Sequence, residues 1–261
     1  MKIGIIGSGN IGGTLTRRFS ALGHQVFVAN SRGPETLRDL AKETGAKAVT
    51  AKEAARSGDV VIVTIPEGHI PDLPKDLFAG VPKNVVVVDT GNYYPRHRDG
   101  RIAEIEAGLP ESRWVEKQLG RPVVKTFNNI YAKHLMEKGH PANASDRIAL
   151  PVAGDDSKAK STVMKLVEEL GFDAVDAGGL DESWRQQPGT PVYATDFNAE
   201  GVRRALTNAS SKRPPEFQAT DKSPGSYPNQ RSSNLGEILS ELDQSGQSQP
   251  PVCWCVLICG F

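Results

Sequence analysis

One short run constrains this chain more than any other. Ile3-Gly4-Ile5-Ile6 reads as an apolar strand, and it leads directly into Gly7-Ser8-Gly9-Asn10-Ile11-Gly12. Beyond it, Ile11, Leu15, Phe19 and Leu22 recur at helical spacing, and Gly23 supplies the stop. A G-x-G-x-x-G sequence is weak alone, but between a strand and an amphipathic helix it has the context of a dinucleotide-binding turn. Gly7 permits the tight turn. Gly9 lets the backbone approach a pyrophosphate, and Gly12 lets the helix pack close to the sheet. The helix N-terminus then offers N–H groups and partial positive charge to the phosphates.

The same alternation continues along the chain. Apolar runs at 25–29, 60–65, 85–88, 122–127, 148–153 and 172–175, with a weak one at 48–49, read as further strands. Continuous Val/Ile runs of this kind belong to strands buried on both faces. Pro34 starts a second helix carrying Leu37, Leu40 and Ala41, and Val163, Leu166, Val167 and Leu170 form the face of a later one ended by Gly171. The pattern predicts an α/β fold over residues 1–206: a Rossmann-type doubly wound, mostly parallel sheet with helices on both faces. Residues 207–234 are rich in Ser, Pro, Asn, Gln and Lys and have little apolar material to offset chain entropy. Residues 207–261 are therefore expected to form a low-complexity, disordered and dispensable tail, with one short helix at Leu235–Leu242.

Lys+Arg and Asp+Glu both number 31, so the formal net charge is zero. A balanced chain has no bulk attraction for nucleic acid or an anionic membrane, and anion binding must come from local geometry. The three cysteines stand at Cys253, Cys255 and Cys259, which excludes a disulfide scaffold for the main body and fits a reducing cytoplasm. They lack a matching pair at zinc-site spacing, and no metal is expected. No signal peptide and no run of about 20 apolar residues is visible. Self-association as a homodimer stays open.

The end of the second strand bears on cofactor choice. An NAD site usually carries Asp or Glu there for the ribose hydroxyls. This chain has Asn30-Ser31-Arg32-Gly33 instead. Ser31 offers a hydroxyl and Arg32 a planar fork suited to phosphate, so NADP(H) is favoured over NAD(H). Ligands of open parallel sheets sit at the strands' carboxyl ends. That places Ile65 and Pro66 near the ribose or nicotinamide, and Asn92 and Tyr93 along the cleft. Lys125, Thr126 and Asn128 close the sixth strand and are expected to face the same cleft, Lys125 either holding a charged ligand or capping a turn. Trp184 and Arg185 lie in a polar, aromatic loop that could stack a ring or simply close the domain. No histidine, serine elbow or body cysteine is placed for catalysis, so no side chain is assigned a catalytic role.

Taken together, these residues resemble the NADPH-dependent coenzyme F420 reductase family, within a wider group that includes the N-terminal domain of pyrroline-5-carboxylate reductases. The likeness covers about residues 1–206. It rests on residues 5–12, on Asn30-Ser31-Arg32-Gly33, on Val124-Lys125-Thr126-Phe127-Asn128, on Ala153-Gly154-Asp155-Asp156 and on the stretch 178–193 with Trp184-Arg185. The resemblance implies NADP binding through Gly7, Ser8, Gly9, Asn10, Ile11, Gly12, Ser31 and Arg32. It also implies direct hydride transfer between the nicotinamide and a flavin-like partner, F420 or FMN/FAD, which needs orientation rather than a side-chain acid or nucleophile. A non-catalytic NADP(H)-binding sensor and a dehydrogenase of a small carbonyl or imine are the alternatives.

Overall fold

The computed structural model describes residues 1–142, 144 and 146–224. The expected short helix at Leu235–Leu242 and the three cysteines lie outside the described residues.

All the expected apolar runs form strands: β1 (Lys2–Ile6), β2 (Gln25–Ala29), β3 (Lys47–Ala48), β4 (Val60–Val63), β5 (Val86–Asp89), β6 (Val123–Lys125), β7 (Ala149–Val152) and β8 (Asp173–Asp176). The first six make one parallel sheet in the order β3-β2-β1-β4-β5-β6, the doubly wound arrangement with its crossover reversal between β1 and β4. β7 and β8 pair in parallel with each other. They are joined to β6 in the opposite sense, where the N–H and C=O of Lys125 and Ala153 bond each other at 2.8 and 3.0 Å.

The helices are α1 (Asn10–Ala21), α2 (Arg38–Thr44), α3 (Ala51–Ser57), α4 (Ala103–Glu106), α5 (Glu111–Leu119), α6 (Ala132–Glu137), α7 (Ser157–Glu169) and α8 (Ala199–Thr207). Alternate strand residues serve opposite layers, as the two-residue side-chain period requires. Ile3, Ile5, Val26, Val28, Val60 and Ile62 pack with Leu15 and Phe19 of α1 and with Val163, Leu166 and Val167 of α7. Ile6, Phe27 and Val61 pack on the other side against Ala54 and Ala55 of α3. With both faces covered, ligands are confined to the sheet's ends.

The chain beyond α8 departs from expectation. Residues 213–224 lie against the body rather than beginning a tail. Arg96 Nε donates to the Gln218 carbonyl at 3.0 Å, Ala219 N–H donates to Glu106 at 2.9 Å, and Arg213 pairs with Glu111 at 2.8 Å. The attachment is made by isolated contacts, mostly polar, so it leaves no apolar periodicity to read. Among the described residues, no helix is long and apolar enough to cross a membrane, and no group of His, Cys, Asp or Glu could hold a metal ion.

Candidate functional site

The turn after β1 is built as its sequence requires. Gly7 has φ +111°, and a Cβ there would lie 2.3 Å from the Thr64 carbonyl oxygen. A Cβ on Gly12 would lie 2.0 Å from the Gly7 carbonyl oxygen, so this glycine is demanded by the approach of α1 to the turn. Gly9 differs: a Cβ there would meet no protein atom within 4 Å. Its missing side chain keeps clear a space that none of the described residues fills. Gly9 is also the N-cap of α1, with no side-chain cap and no acid in the first turn. The first turn of α1 thus carries no carboxylate of its own to oppose an anion at the helix N-terminus. Ile11 packs against the core beneath.

The loop after β2 is shaped by Asn30. Its Nδ2 donates to Thr36 Oγ1 at 2.9 Å and, at 3.4 Å, to Ser8 Oγ, while its Oδ1 accepts from the Arg32 N–H at 3.0 Å. Asn30 thereby joins this loop to the glycine turn. Ser31 and Arg32 are exposed. A cleft of about 560 Å³ runs past Ser8, Gly9, Asn10, Arg32, Thr36 and Lys133. Arg17 borders it too but is held by Glu43 at 2.6 Å. Among the described residues the Arg32 guanidinium makes no hydrogen bond or ion pair. An open anion cradle and a free guanidinium one strand apart fit a dinucleotide with an additional phosphate.

At the carboxyl ends of β5 and β6 the polar side chains form a network. Asn92 Nδ2 donates to the Asn128 carbonyl at 2.8 Å, Asn128 Nδ2 donates to Asn92 Oδ1 at 3.1 Å and to the Gln186 carbonyl at 2.6 Å, and Gln186 Nε2 donates to Asn128 Oδ1 at 3.0 Å. Phe127, fully buried, carries φ +62°. A bulky residue there is held against its preference by the surrounding packing, and such strain gathers at functional sites. It turns the chain between Thr126 and Asn128. Among the described residues, and apart from Ser20 and Arg147, the buried side-chain polar atoms without a partner lie at this end of the fold: both oxygens of Glu67, Thr126 Oγ1, both amide atoms of Asn129, Ser183 Oγ, Gln186 Oε1 and Gln187 Nε2.

Beneath this network lies a buried ionic cluster. Lys125, expected at the cleft, is instead fully buried, its Nζ 3.0 Å from Asp89 Oδ2 and 2.5 Å from the Gly91 carbonyl. It caps the turn after β5 and is no ligand group; burial opposes its charge, but Asp89, Glu67 and Glu111 outweigh that and raise its pKa. Tyr93 is likewise core rather than cleft wall: its hydroxyl accepts from the Ile102 N–H at 2.8 Å, and burial pushes the phenol up. Three acids here have cations in contact: Asp89 with Lys125 at 3.0 Å, Asp99 with Arg98 at 2.9 Å and Glu111 with Arg213 at 2.8 Å. Glu67, in the helical turn directly after Ile65 and Pro66, has none, and burial followed by repulsion from Glu111 raises its carboxyl well above the usual range. A Glu opening a helical turn reads in sequence as solvated, so nothing marked it.

Trp184 is half-buried with the Arg185 guanidinium 4.5 Å from its ring. Arg185 is engaged by Glu182 at 2.5 Å and by the Leu206 carbonyl at 3.2 Å, tying the closing loop to α8. Of the expected acceptor pair, this leaves Trp184 without a hydrogen-bonding duty. Thr126 is fully buried and Asn128 nearly so, while Asn92, Ile65 and Pro66 are half-buried at the strand ends.

The glycine turn, the crossover at β1/β4 and the polar carboxyl ends define a dinucleotide-binding protein of the doubly wound class. Comparison with known proteins carries this further. Residues 2–93 match the family described as NADP oxidoreductase coenzyme F420-dependent. The F420-dependent NADP reductase of Methanocaldococcus jannaschii is 26% identical over 234 residues, covering 80% of this chain and 99% of its own. The protein YjhV of Escherichia coli is 40% identical over 86 residues, a stretch that spans 33% of this chain and 56% of YjhV. A crystal structure of a hypothetical protein from Sinorhizobium meliloti superposes with a TM-score of 0.64 at 31% identity, over 76% of this chain and 95% of that one. The chain is thus similar to F420-dependent NADP oxidoreductases, and the match to that family's model lies in residues 2–93, which hold the glycine turn and the Arg32 loop.

Proposed function

We propose that this protein is an NADP(H)-dependent oxidoreductase that passes hydride between the nicotinamide and a flavin-like acceptor, F420 or a flavin such as FMN or FAD. The bound dinucleotide supplies the hydride; the chain's part is to bind and orient. In this reading Gly7, Ser8, Gly9, Asn10, Ile11 and Gly12 cradle the diphosphate, and Ser31 and Arg32, on the turn that Asn30 shapes, take the 2′-phosphate. Ile65 and Pro66 give the apolar side of the nicotinamide site. Asn92, Thr126 and Asn128 give its polar side, and Trp184 stacks the acceptor ring.

The observation that carries the reading is the gathering of unpartnered amide and hydroxyl groups at the carboxyl ends of the sheet. A buried polar group without a partner costs about 1–3 kcal/mol, so a site holding several is suited to a ligand that satisfies them. Asn and Gln amides both donate and accept, which suits the alternating C=O and N–H edge of a carboxamide or a pyrimidinedione ring. Hydride transfer asks for such orientation, with reacting atoms brought to about 3–3.5 Å. The name of the Methanocaldococcus jannaschii relative points to the same acceptor class. The test is NADPH oxidation at 340 nm with F420, FMN and FAD offered in turn: turnover with at least one supports the reading, and turnover with none removes it.

A further inference from the structure

The segment beyond α8 was expected to be dispensable, yet it delivers a cation into the polar end of the fold. Arg213 Nη1 lies 2.8 Å from Glu111 Oε1, its Nη2 donates to Gln187 Oε1 at 3.1 Å, and its guanidinium stands 5.3 Å from the Tyr93 ring centre. Glu111 in turn accepts from the Tyr93 N–H at 3.3 Å. One side chain therefore spans three elements: the loop after β5, the start of α5 and the loop that follows Trp184. The neighbouring residues reinforce the attachment. Pro214 and Phe217 close on Gly189, where a Cβ would come within 2.7 Å of Pro214, and Phe217 leans on Tyr94 with ring centres 6.3 Å apart.

We propose that Arg213 is a positioning residue for the hydride acceptor: by pairing with the buried Glu111 it holds the Tyr93 backbone and Gln187, and through them fixes Asn92 and Gln186 on the two sides of the acceptor wall. This rests on the acceptor site proposed above. The side chain of Glu111 is fully buried. Without Arg213 the carboxylate keeps Lys125 as its nearby cation against burial and the repulsion of Glu67, and it takes up a proton or draws water in. Either way its hold on the Tyr93 N–H weakens, and with it the loop that carries Asn92. Asn92 and Gln186 are the two partners of Asn128, so both sides of the wall loosen together. The hydrogen bonds that tie Arg213, Glu111, Gln187 and Asn92 together do not involve the glycine turn or the Arg32 loop, which are expected to stay intact.

The experiment compares the full chain with Arg213→Ala, Arg213→Lys and the double variant Arg213→Ala/Glu111→Gln. NADPH affinity is read by fluorescence, acceptor KM and kcat in the steady state, and backbone exchange by hydrogen–deuterium exchange. Arg213→Ala is expected to change NADPH affinity by less than about twofold while raising acceptor KM about tenfold, the loss of one charge-assisted contact. Added guanidinium ion and the double variant should each recover part of the loss. A residue needed only for stability would show neither the split nor the rescue. The Tyr93 amide should exchange faster in Arg213→Ala; if that variant does not fold, Arg213→Lys, which keeps charge and loses the planar fork, carries the comparison. Equal loss of NADPH and acceptor binding, or unchanged Tyr93 exchange, overturns the proposal. Should the wild type oxidise NADPH with no acceptor, the acceptor site itself fails, and the exchange data still report whether Arg213 holds the wall.

Discussion

Glu67→Gln isolates the one acid in the buried cluster that lacks a cation. Its carboxyl faces Asp89 from β5, Asp99 from the turn at Pro95–Asp99, Glu111 from α5 and Lys125 from β6, with Arg98 and Arg213 at the edges. Three cations neutralise the other three acids, and both Glu67 oxygens are buried without partners. Burial and repulsion from Glu111 therefore shift Glu67 toward its neutral, protonated form. The folded carboxyl is raised above its unfolded value, so the folded state binds more protons in the interval between the two. The associated stability is fully present below the ordinary carboxylate range and is lost as pH rises through the raised folded value. Glu67→Gln keeps the shape and cannot ionise. It should match wild type to within about 1 kcal/mol near pH 4, then gain on it with rising pH. An unsatisfied buried group costs about 1–3 kcal/mol, and each pKa unit of elevation about 1.4 kcal/mol, so an advantage of about 1–3 kcal/mol is expected by pH 9. In a protein of this size that is about 2–4 °C in Tm per kcal/mol. Urea unfolding of both proteins at stepped pH reads the difference directly, and titrating groups outside the cluster cancel. Parallel stability curves across the range would refute the assignment of a proton to Glu67.

Three further outcomes follow from the cofactor cradle and the closing segments. Gly9→Ala should leave Tm unchanged, since its Cβ meets nothing within 4 Å, yet weaken NADPH binding; Gly12→Ala, with 2.0 Å to the Gly7 oxygen, should lower both, and thermal melts beside NADPH titrations separate them. Trp184→Ala should lower turnover with an added acceptor far more than NADPH affinity, as steady-state rates beside fluorescence titration will read. Removing residues 207–261 strips Arg213 from the buried Glu111; breaking such a pair costs about 3–5 kcal/mol, and a fall in Tm of about 6–20 °C is expected where an unattached tail would give none.

The main sheet was legible because β1, β2, β4, β5 and β6 are short Val/Ile-rich apolar runs covered on both faces, and they appear where those runs stand. The glycine turn was legible because strand, turn and helix periodicity coincide within about twenty residues. The stretch from Glu67 to Leu119 was not, apart from β5, since its helical turns are short and polar and are fixed by contacts distant in sequence, such as Gly68 N–H to Asp99 and Tyr93 N–H to Glu111. Lys125 and Tyr93 misled for a related reason. A lysine or tyrosine at a strand's carboxyl end looks like a cleft residue until the partners that bury it, Asp89 for one and Ile102 for the other, are brought beside it. Arg213 was hidden by its polar, proline-rich surroundings, which carry no periodicity although one ion pair anchors them.

The acceptor chemistry is tested most directly by transfer of label. With NADPH deuterated at the transferred C4 position and F420 as acceptor, direct hydride transfer places the deuterium on carbon in the reduced deazaflavin and gives a primary isotope effect when transfer limits the rate. The account predicts label in the reduced product, with Arg32→Ala raising the NADPH requirement about 10- to 100-fold, as loss of a charge-assisted phosphate contact implies, and leaving NADH use unchanged. Reduction without label in the product, or equal loss of NADPH and NADH in Arg32→Ala, would contradict it.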